Sequence, residues 1–127
     1  MTPEELKDRT KKFAIRIVRL VRVLPRTLDG RAIGNQLLRS GTSVAANYRA
    51  TCRARSHAEF KSKLGVVVEE IDETVFWLEL IAESEILPAR RLKDLQAEAL
   101  ELFRIFVRSQ LTAKGIPNLP AAKSVNS

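Results

Sequence analysis

Four stretches of the chain repeat apolar residues at helical spacing, and none alternates apolar and polar residues as a half-buried strand does. The first stretch predicts a helix that Thr2 caps and Pro3 opens, because these residue types favour those positions. Pro25 is expected to end it, since the residue before a proline is disfavoured in the α region. The apolar stripe of this helix is Leu6, Phe13, Ile17, Leu20, Val21 and Leu24.

The second stretch predicts a helix from near Asp29 to about Arg53, with a polar row beside its apolar stripe. The apolar stripe is Ile33, Leu37, Val44 and Tyr48. The polar row, here called the polar ladder, is Gln36, Ser40, Ser43 and Asn47. Gly41, Ala45 and Ala46 keep the helix thin, so a neighbouring helix could approach it closely.

The third stretch opens with Ser56 and Glu59, the spacing of a capping box. Its apolar residues follow a near-heptad pattern, which is typical of helices packed in a bundle. They are Phe60, Leu64, Val67, Ile71, Val75, Leu78 and Ala82, and further apolar residues widen the surface. A helix apolar over so much of its circumference has several neighbours or contributes to an oligomer interface.

Pro88 is predicted to be the first residue of the fourth helix, which Gly115 and Pro117 stop. Its apolar stripe is Leu92, Leu95, Ala99, Leu102 and Phe106. Short connections favour antiparallel neighbours. The fold class expected is therefore all-α, an antiparallel up-down-up-down four-helix bundle over residues 1–115, with a flexible C-terminal tail at 116–127.

The positive charge of the chain is concentrated in its first half. Residues 1–55 hold 13 Lys and Arg against 4 Asp and Glu, whereas residues 56–87 hold 2 against 8. On the first helix the basic residues form a ridge opposite the apolar stripe: Lys12, Arg16, Arg19 and Arg22, followed by Arg26. This asymmetry indicates either a surface for polyanions or helices that pair their charges with one another.

Residues suited to catalysis or metal binding are few. With one histidine and one cysteine, the chain offers no metal-ligand set, so no metal and no cofactor are expected. His57 is interpreted as a solvated surface residue and Cys52 as a small, semi-buried hydrophobe. No enzymatic activity and no membrane span are expected, and the single cysteine favours a cytoplasmic location.

Among the carboxylates of the third helix, Glu69 and Asp72 can lie solvated, whereas Glu70 or Glu73 is expected closer to the apolar seam, near Trp77. A semi-buried carboxylate needs a partner, and the second helix offers candidates. These are Arg49, Arg53, Asn47 and Ser43. We expect structural pairing here, with the polar ladder, Glu70, Glu73 and Trp77 fixing helix register or a subunit contact.

The central segment resembles a known protein family. The resemblance rests on Gln36–Ser40, Ser43–Asn47, Arg53–Ser56, Phe60, Lys63–Leu64, Glu70, Glu73–Thr74 and Trp77–Leu78. These residues resemble the four-helix-bundle proteins encoded in intervening sequences of bacterial 23S rRNA genes. That family is similar to the accessory variability determinant proteins of diversity-generating retroelements. Arg49 stands where the family often has an acid, and Tyr48 replaces an aliphatic residue.

The resemblance implies a homopentamer, arranged as a ring of bundles around a central channel, and no enzymatic activity. It also implies RNA or DNA contact and a reverse transcriptase or other protein as partner. Two functions follow as hypotheses: a non-catalytic accessory module that binds nucleic acid, or a protein–protein interaction scaffold that does not. The residues predicted to contact nucleic acid are Lys12, Arg16, Arg19, Arg22, Arg26, Arg39, Arg49, Arg53 and Arg55.

Overall fold

The computed structural model describes residues 1–115, which form four helices and no strand. The helices are α1 (Pro3–Arg22), α2 (Leu28–Thr51), α3 (His57–Glu83) and α4 (Lys93–Ala113), and a 3₁₀ turn (Ala89–Arg91) precedes α4. The all-helical fold predicted from the apolar spacing is confirmed. The predicted tail at 116–127 lies outside the described residues.

Side-chain caps fix the starts of the first three helices. The Thr2 hydroxyl accepts the Glu5 amide at 3.1 Å, and the Ser56 hydroxyl accepts the Glu59 amide at 3.0 Å, as predicted. Helix α2 begins slightly earlier than expected, because Thr27 caps it by accepting the Gly30 amide at 3.2 Å.

The connection between α3 and α4 differs from the prediction. Helix α3 ends before the proline in a C-terminal motif in which Ile86 donates to the Ile81 carbonyl and Glu85 to the Ala82 carbonyl. Glu85 takes the left-handed conformation, φ 60°, that glycine usually supplies. Pro88 was wrongly predicted to open α4: it precedes the 3₁₀ turn, and the α-helix begins five residues later, at Lys93.

The buried seam of α3 is Leu64, Val67, Ile71, Thr74, Leu78 and Ile81, an unbroken alternation of three- and four-residue steps. Three residues of the predicted seam, Phe60, Val75 and Ala82, are half-buried and pack against the edge of the core instead of lying within it. The heptad register places Thr74 on the side of α3 that faces the core, although its side chain is polar. Its hydroxyl is hydrogen-bonded, which offsets the cost of burying it.

Helix α2 packs against both α1 and α3, and α3 packs against α4, whereas α1 and α4 touch much less. The rings of Tyr48 on α2 and Phe106 on α4 meet across the core, with centroids 5.2 Å apart. The close approach expected at Gly41 is present. A Cβ placed there would lie 2.8 Å from two carbons of Ile17 on α1.

Candidate nucleic-acid interface

Six exposed arginines surround the C-terminal half of α1 and the loop that follows it. They form what we call the arginine surface: Arg16, Arg19, Arg22, Arg26, Arg31 and Arg91. They line two neighbouring grooves, one between α1 and α2 and the other between α1 and the start of α4.

Glycines at the start of α2 allow this helix to pack closely against the end of α1, beside the first groove. A Cβ on Gly30 would lie 2.2 Å from the Pro25 carbonyl oxygen, and one on Gly34 would lie 3.1 Å from Leu24. Helix α2 can therefore start directly against the end of α1. This contact places Arg31 beside Arg22 and Arg26 around a groove of about 400 Å³, whose lining residues include no acid.

The second groove, of about 420 Å³, lies where α1 passes the start of α4. Arg16 and Arg19 of α1 face Arg91 of the 3₁₀ turn across it, and Asp94 is the one acid in its lining. Within residues 1–115 none of the six arginines of the arginine surface makes an ion pair. Their charges are thus available to an anionic partner.

Only four of the nine predicted nucleic-acid-binding residues belong to the arginine surface. Lys12 pairs with Asp8 at 2.9 Å, and Arg55 lies 3.9 Å from Glu59. Arg49 and Arg53 line a different groove, beside the N-terminal half of α1. At a rise of about 1.5 Å per residue, that groove lies roughly 20 Å along α1 from Arg19 and Arg22.

Arg39, also in the predicted set, is engaged within the bundle. Its guanidinium bonds Glu70 at 3.0 Å and also contacts Glu73. The partners predicted for these carboxylates, Arg49, Arg53, Asn47 and Ser43, were therefore wrong. The physical reason is register: α2 crosses α3 with its middle, not its C-terminal end, beside the acids.

The polar ladder divides into local and interhelical contacts. Ser40 is fully buried and accepts the Thr74 hydroxyl of α3 at 3.0 Å. The Asn47 amide instead donates to the carbonyl and hydroxyl of Ser43, one turn earlier on its own helix. Gln36 is exposed. Within the polar ladder, Ser40 is thus the residue that fixes the register of α2 against α3. Its partner, Thr74, was missed because the predicted seam of α3 contained only apolar residues.

Trp77 was expected beside the two carboxylates and is half-buried on the same helix. Its indole N–H is buried and has no hydrogen-bond partner among the described residues. Its ring packs edge-on against Phe76, with centroids 4.9 Å apart.

A further ion pair, between Arg9 of α1 and Glu98 of α4, was not anticipated. The Arg9 guanidinium donates two hydrogen bonds to the Glu98 carboxylate, at 2.7 and 2.8 Å. These bonds raise the pKa of Arg9, because they favour its charged form. No local sequence signal marks this pair, because its members are far apart in the chain and meet only once α1 and α4 are adjacent.

Residues suited to other chemistry are dispersed. Within residues 1–115 no group of His, Cys, Asp and Glu could hold a metal ion. Cys52 is exposed and not semi-buried as predicted, because α2 ends there. His57 is exposed, as expected, and its Nε2 lies 2.9 Å from the Ala113 carbonyl oxygen at the end of α4. No helix in this part of the chain is long and apolar enough to cross a membrane.

Comparison with known proteins supports the resemblance seen in the central segment. The family model of the 23S rRNA-intervening sequence protein matches residues 5–108. The chain belongs to this family. No curated protein matches it.

A solved structure from Bacteroides thetaiotaomicron is similar to this family member. It is described as a protein with unknown function from the S23 ribosomal protein family. The two are 33% identical, and the match covers 84% of this chain and 96% of that one with a TM-score of 0.78. The fold is thus shared over nearly the whole relative.

Proposed function

We propose that this family member is a non-catalytic, cytoplasmic accessory protein that binds the phosphate backbone of RNA or DNA through the arginine surface. The carrying observation is that six exposed arginines, which make no ion pair within residues 1–115, line two grooves with one acid among their described lining residues. Phosphate contacts supply most of the affinity in sequence-independent binding. Exposed aromatic side chains for base stacking are absent from both linings, so charge and shape carry the recognition.

The bundle we propose has up-down-up-down topology. Two contacts support it. The N-terminal half of α1 and the C-terminal part of α2 line one groove, and His57 at the start of α3 touches Ala113 at the end of α4. Both contacts are those expected when α1 runs antiparallel to α2 and α3 runs antiparallel to α4.

The proposed assembly is a homopentameric ring. Its support is the resemblance of the central segment to the intervening-sequence proteins and, through them, to the accessory variability determinants of retroelements. A ring would multiply the arginine surface around its axis and strengthen attraction to a long polyanion. The retroelement relation would add a reverse transcriptase as a protein partner.

The experiment is a titration of fluorescent single- and double-stranded RNA and DNA at several salt concentrations. The test variant carries Arg16→Glu, Arg19→Glu and Arg22→Glu. The matched control carries Lys61→Glu, Arg108→Glu and Lys114→Glu, three exposed cations outside both grooves. Each variant lowers the net charge from +7 by 6, to +1. A difference between them therefore reports position and not total charge.

We expect steeply salt-dependent binding by the wild type. Each phosphate contact contributes about 0.9 to the slope of log K against log salt on B-DNA, so the test variant should lose up to about 3. The control should keep most of the slope. Equal weakening of both variants would refute the assignment to the arginine surface. Absence of binding at low salt would refute nucleic-acid binding and favour the protein-interaction scaffold.

A further inference from the structure

The outer face of α3 carries an exposed phenylalanine within a row of acids. Glu69, Asp72, Phe76 and Glu79 follow at three, four and three residues, so they share one side of the helix. We call them the acidic stripe. All four side chains are exposed, and the three acids make no ion pair within residues 1–115. Phe76 is 52% exposed, and Trp77 supports its ring from the side.

A separate groove lies between the N-terminal half of α1 and the C-terminal part of α2. Its volume is about 560 Å³, and Thr42, Ala45 and Ala46 contribute its small side chains. We call it the alanine groove. Its opening exists because alanines cannot fill the space between the two helices, whereas one turn earlier Ile17 fills the space at Gly41.

The charges around the alanine groove match those of the acidic stripe. Lys11, Arg49 and Arg53 are exposed there and make no ion pair within the described residues. The two acids of the same lining are already satisfied. Glu4 pairs with Lys7 at 2.8 Å, and Asp8 pairs with Lys12 at 2.9 Å. Three free cations thus face outward, and the acidic stripe presents three free anions and an aromatic ring.

The two surfaces cannot meet within one chain. Helix α2 contacts α3 through Arg39 and Ser40, whereas the alanine groove lies on the side of α2 that faces α1. An acidic stripe can therefore reach an alanine groove only on another molecule.

We propose that the acidic stripe of one copy docks into the alanine groove of a second copy, with Phe76 seated over Ala45 and Ala46. This inference rests on the proposed self-assembly and names the two faces that make it. Because the faces differ, the contact is head-to-tail, the kind that closes into a ring when the rotation permits. Aromatic side chains seated in a desolvated centre with a charged rim dominate such interfaces.

The arrangement leaves the arginine surface open. The alanine groove lies at the other end of α1 from Arg19 and Arg22, roughly 20 Å away at about 1.5 Å per residue. In this arrangement Arg49 and Arg53, which were predicted to bind nucleic acid, contact a neighbouring subunit instead. Variants of the stripe should therefore change assembly without removing the arginines that contact nucleic acid.

The first test is analytical ultracentrifugation of the full chain over a range of concentrations. Phe76→Ala should weaken self-association by about tenfold or more, as truncation of a buried aromatic anchor does. The matched control is Leu28→Ala, which truncates an apolar side chain that is 90% exposed and lies outside both surfaces. It should leave association unchanged. Both substitutions are at exposed positions, and an unchanged helical circular dichroism signal verifies folding.

The second test exchanges the charges. One variant carries Glu69→Lys, Asp72→Lys and Glu79→Lys, and the other carries Lys11→Glu, Arg49→Glu and Arg53→Glu. Each alone should lose self-association, and mixing the two should produce complexes that contain both variants, because the reversed stripe then meets a reversed groove and the native stripe meets a native groove. A closed ring of five cannot alternate two kinds of subunit, so these mixed complexes should be open or even-numbered, and the pentamer should not return. Association that appears only on mixing is a result that general charge effects on each variant alone would not produce.

The outcomes separate the two proposals. A wild-type chain that stays monomeric at every concentration would overturn the assembly itself. A wild-type oligomer whose Phe76→Ala and charge-reversed variants assemble normally would overturn only the interface, and would leave the ring and nucleic-acid binding standing.

Discussion

Gly41 is the position where the packing of α1 on α2 is most sharply tested. A Cβ at Gly41 would lie 2.8 Å from both Cγ carbons of Ile17 and 3.2 Å from its Cβ. Carbon atoms in good contact are about 3.5–4.0 Å apart, so the overlap is roughly 0.7 Å or more. Ile17 is fully buried, and the χ1 angle of a β-branched residue is nearly fixed in a helix. The side chain therefore cannot turn aside.

Two opposing terms set the effect of Gly41→Ala. Alanine improves helix propensity by about 1 kcal/mol over glycine. Overpacking a close-packed site costs about 1–3 kcal/mol, and the rigid partner places this site in the upper part of that range. We therefore expect Gly41→Ala to lower the free energy of unfolding by about 1–2 kcal/mol.

The assay is urea unfolding followed by circular dichroism at one fixed, low protein concentration. Gly65→Ala is the matched control, because its Cβ would meet only the Gln110 amide nitrogen, at 3.8 Å. That substitution should stabilise the protein by about 0.5–1 kcal/mol. In an Ile17→Ala background the clash disappears, and Gly41→Ala should become neutral or stabilising. A Gly41→Ala protein as stable as the Gly65→Ala protein would refute the close approach.

Two further predictions concern single side chains. Arg39→Ala should lower the free energy of unfolding, measured by urea denaturation, by about 1 kcal/mol, because Glu70 is only 16% exposed and loses its partner. Adding Glu70→Gln should recover part of the loss. No change on Arg39→Ala would contradict it. Burial raises the pKa of Tyr48, the single tyrosine, so the fold should lose stability as pH rises above about 10, where the unfolded phenol ionises. Tyrosinate absorbance should appear only with unfolding, and Tyr48→Phe should raise the pH of alkaline unfolding; ionisation with the helices intact would contradict it.

Much of the candidate site was within reach of sequence reasoning. The α1 ridge was visible because residues three and four apart lie on one helix face, which is a local property of the chain. Arg31 and Arg91 were missed, since they join the ridge only through the contacts of α2 and the 3₁₀ turn with α1. Arg39 was predicted to bind nucleic acid because the sequence does not show that two carboxylates of α3 lie beside it.

The four helices, the caps at Thr2 and Ser56 and most of the buried stripes follow from local sequence patterns. Capping and a 3.6-residue period depend on neighbours within one or two turns, so they can be read from the chain alone. Packing between the helices sets the partners of Glu70 and Glu73, the burial of Thr74 and the separation of Arg49 and Arg53 from the arginine surface. These features depend on how closely helices approach and in which register, which Gly41, Gly30 and Ser40 set through contacts between residues distant in sequence.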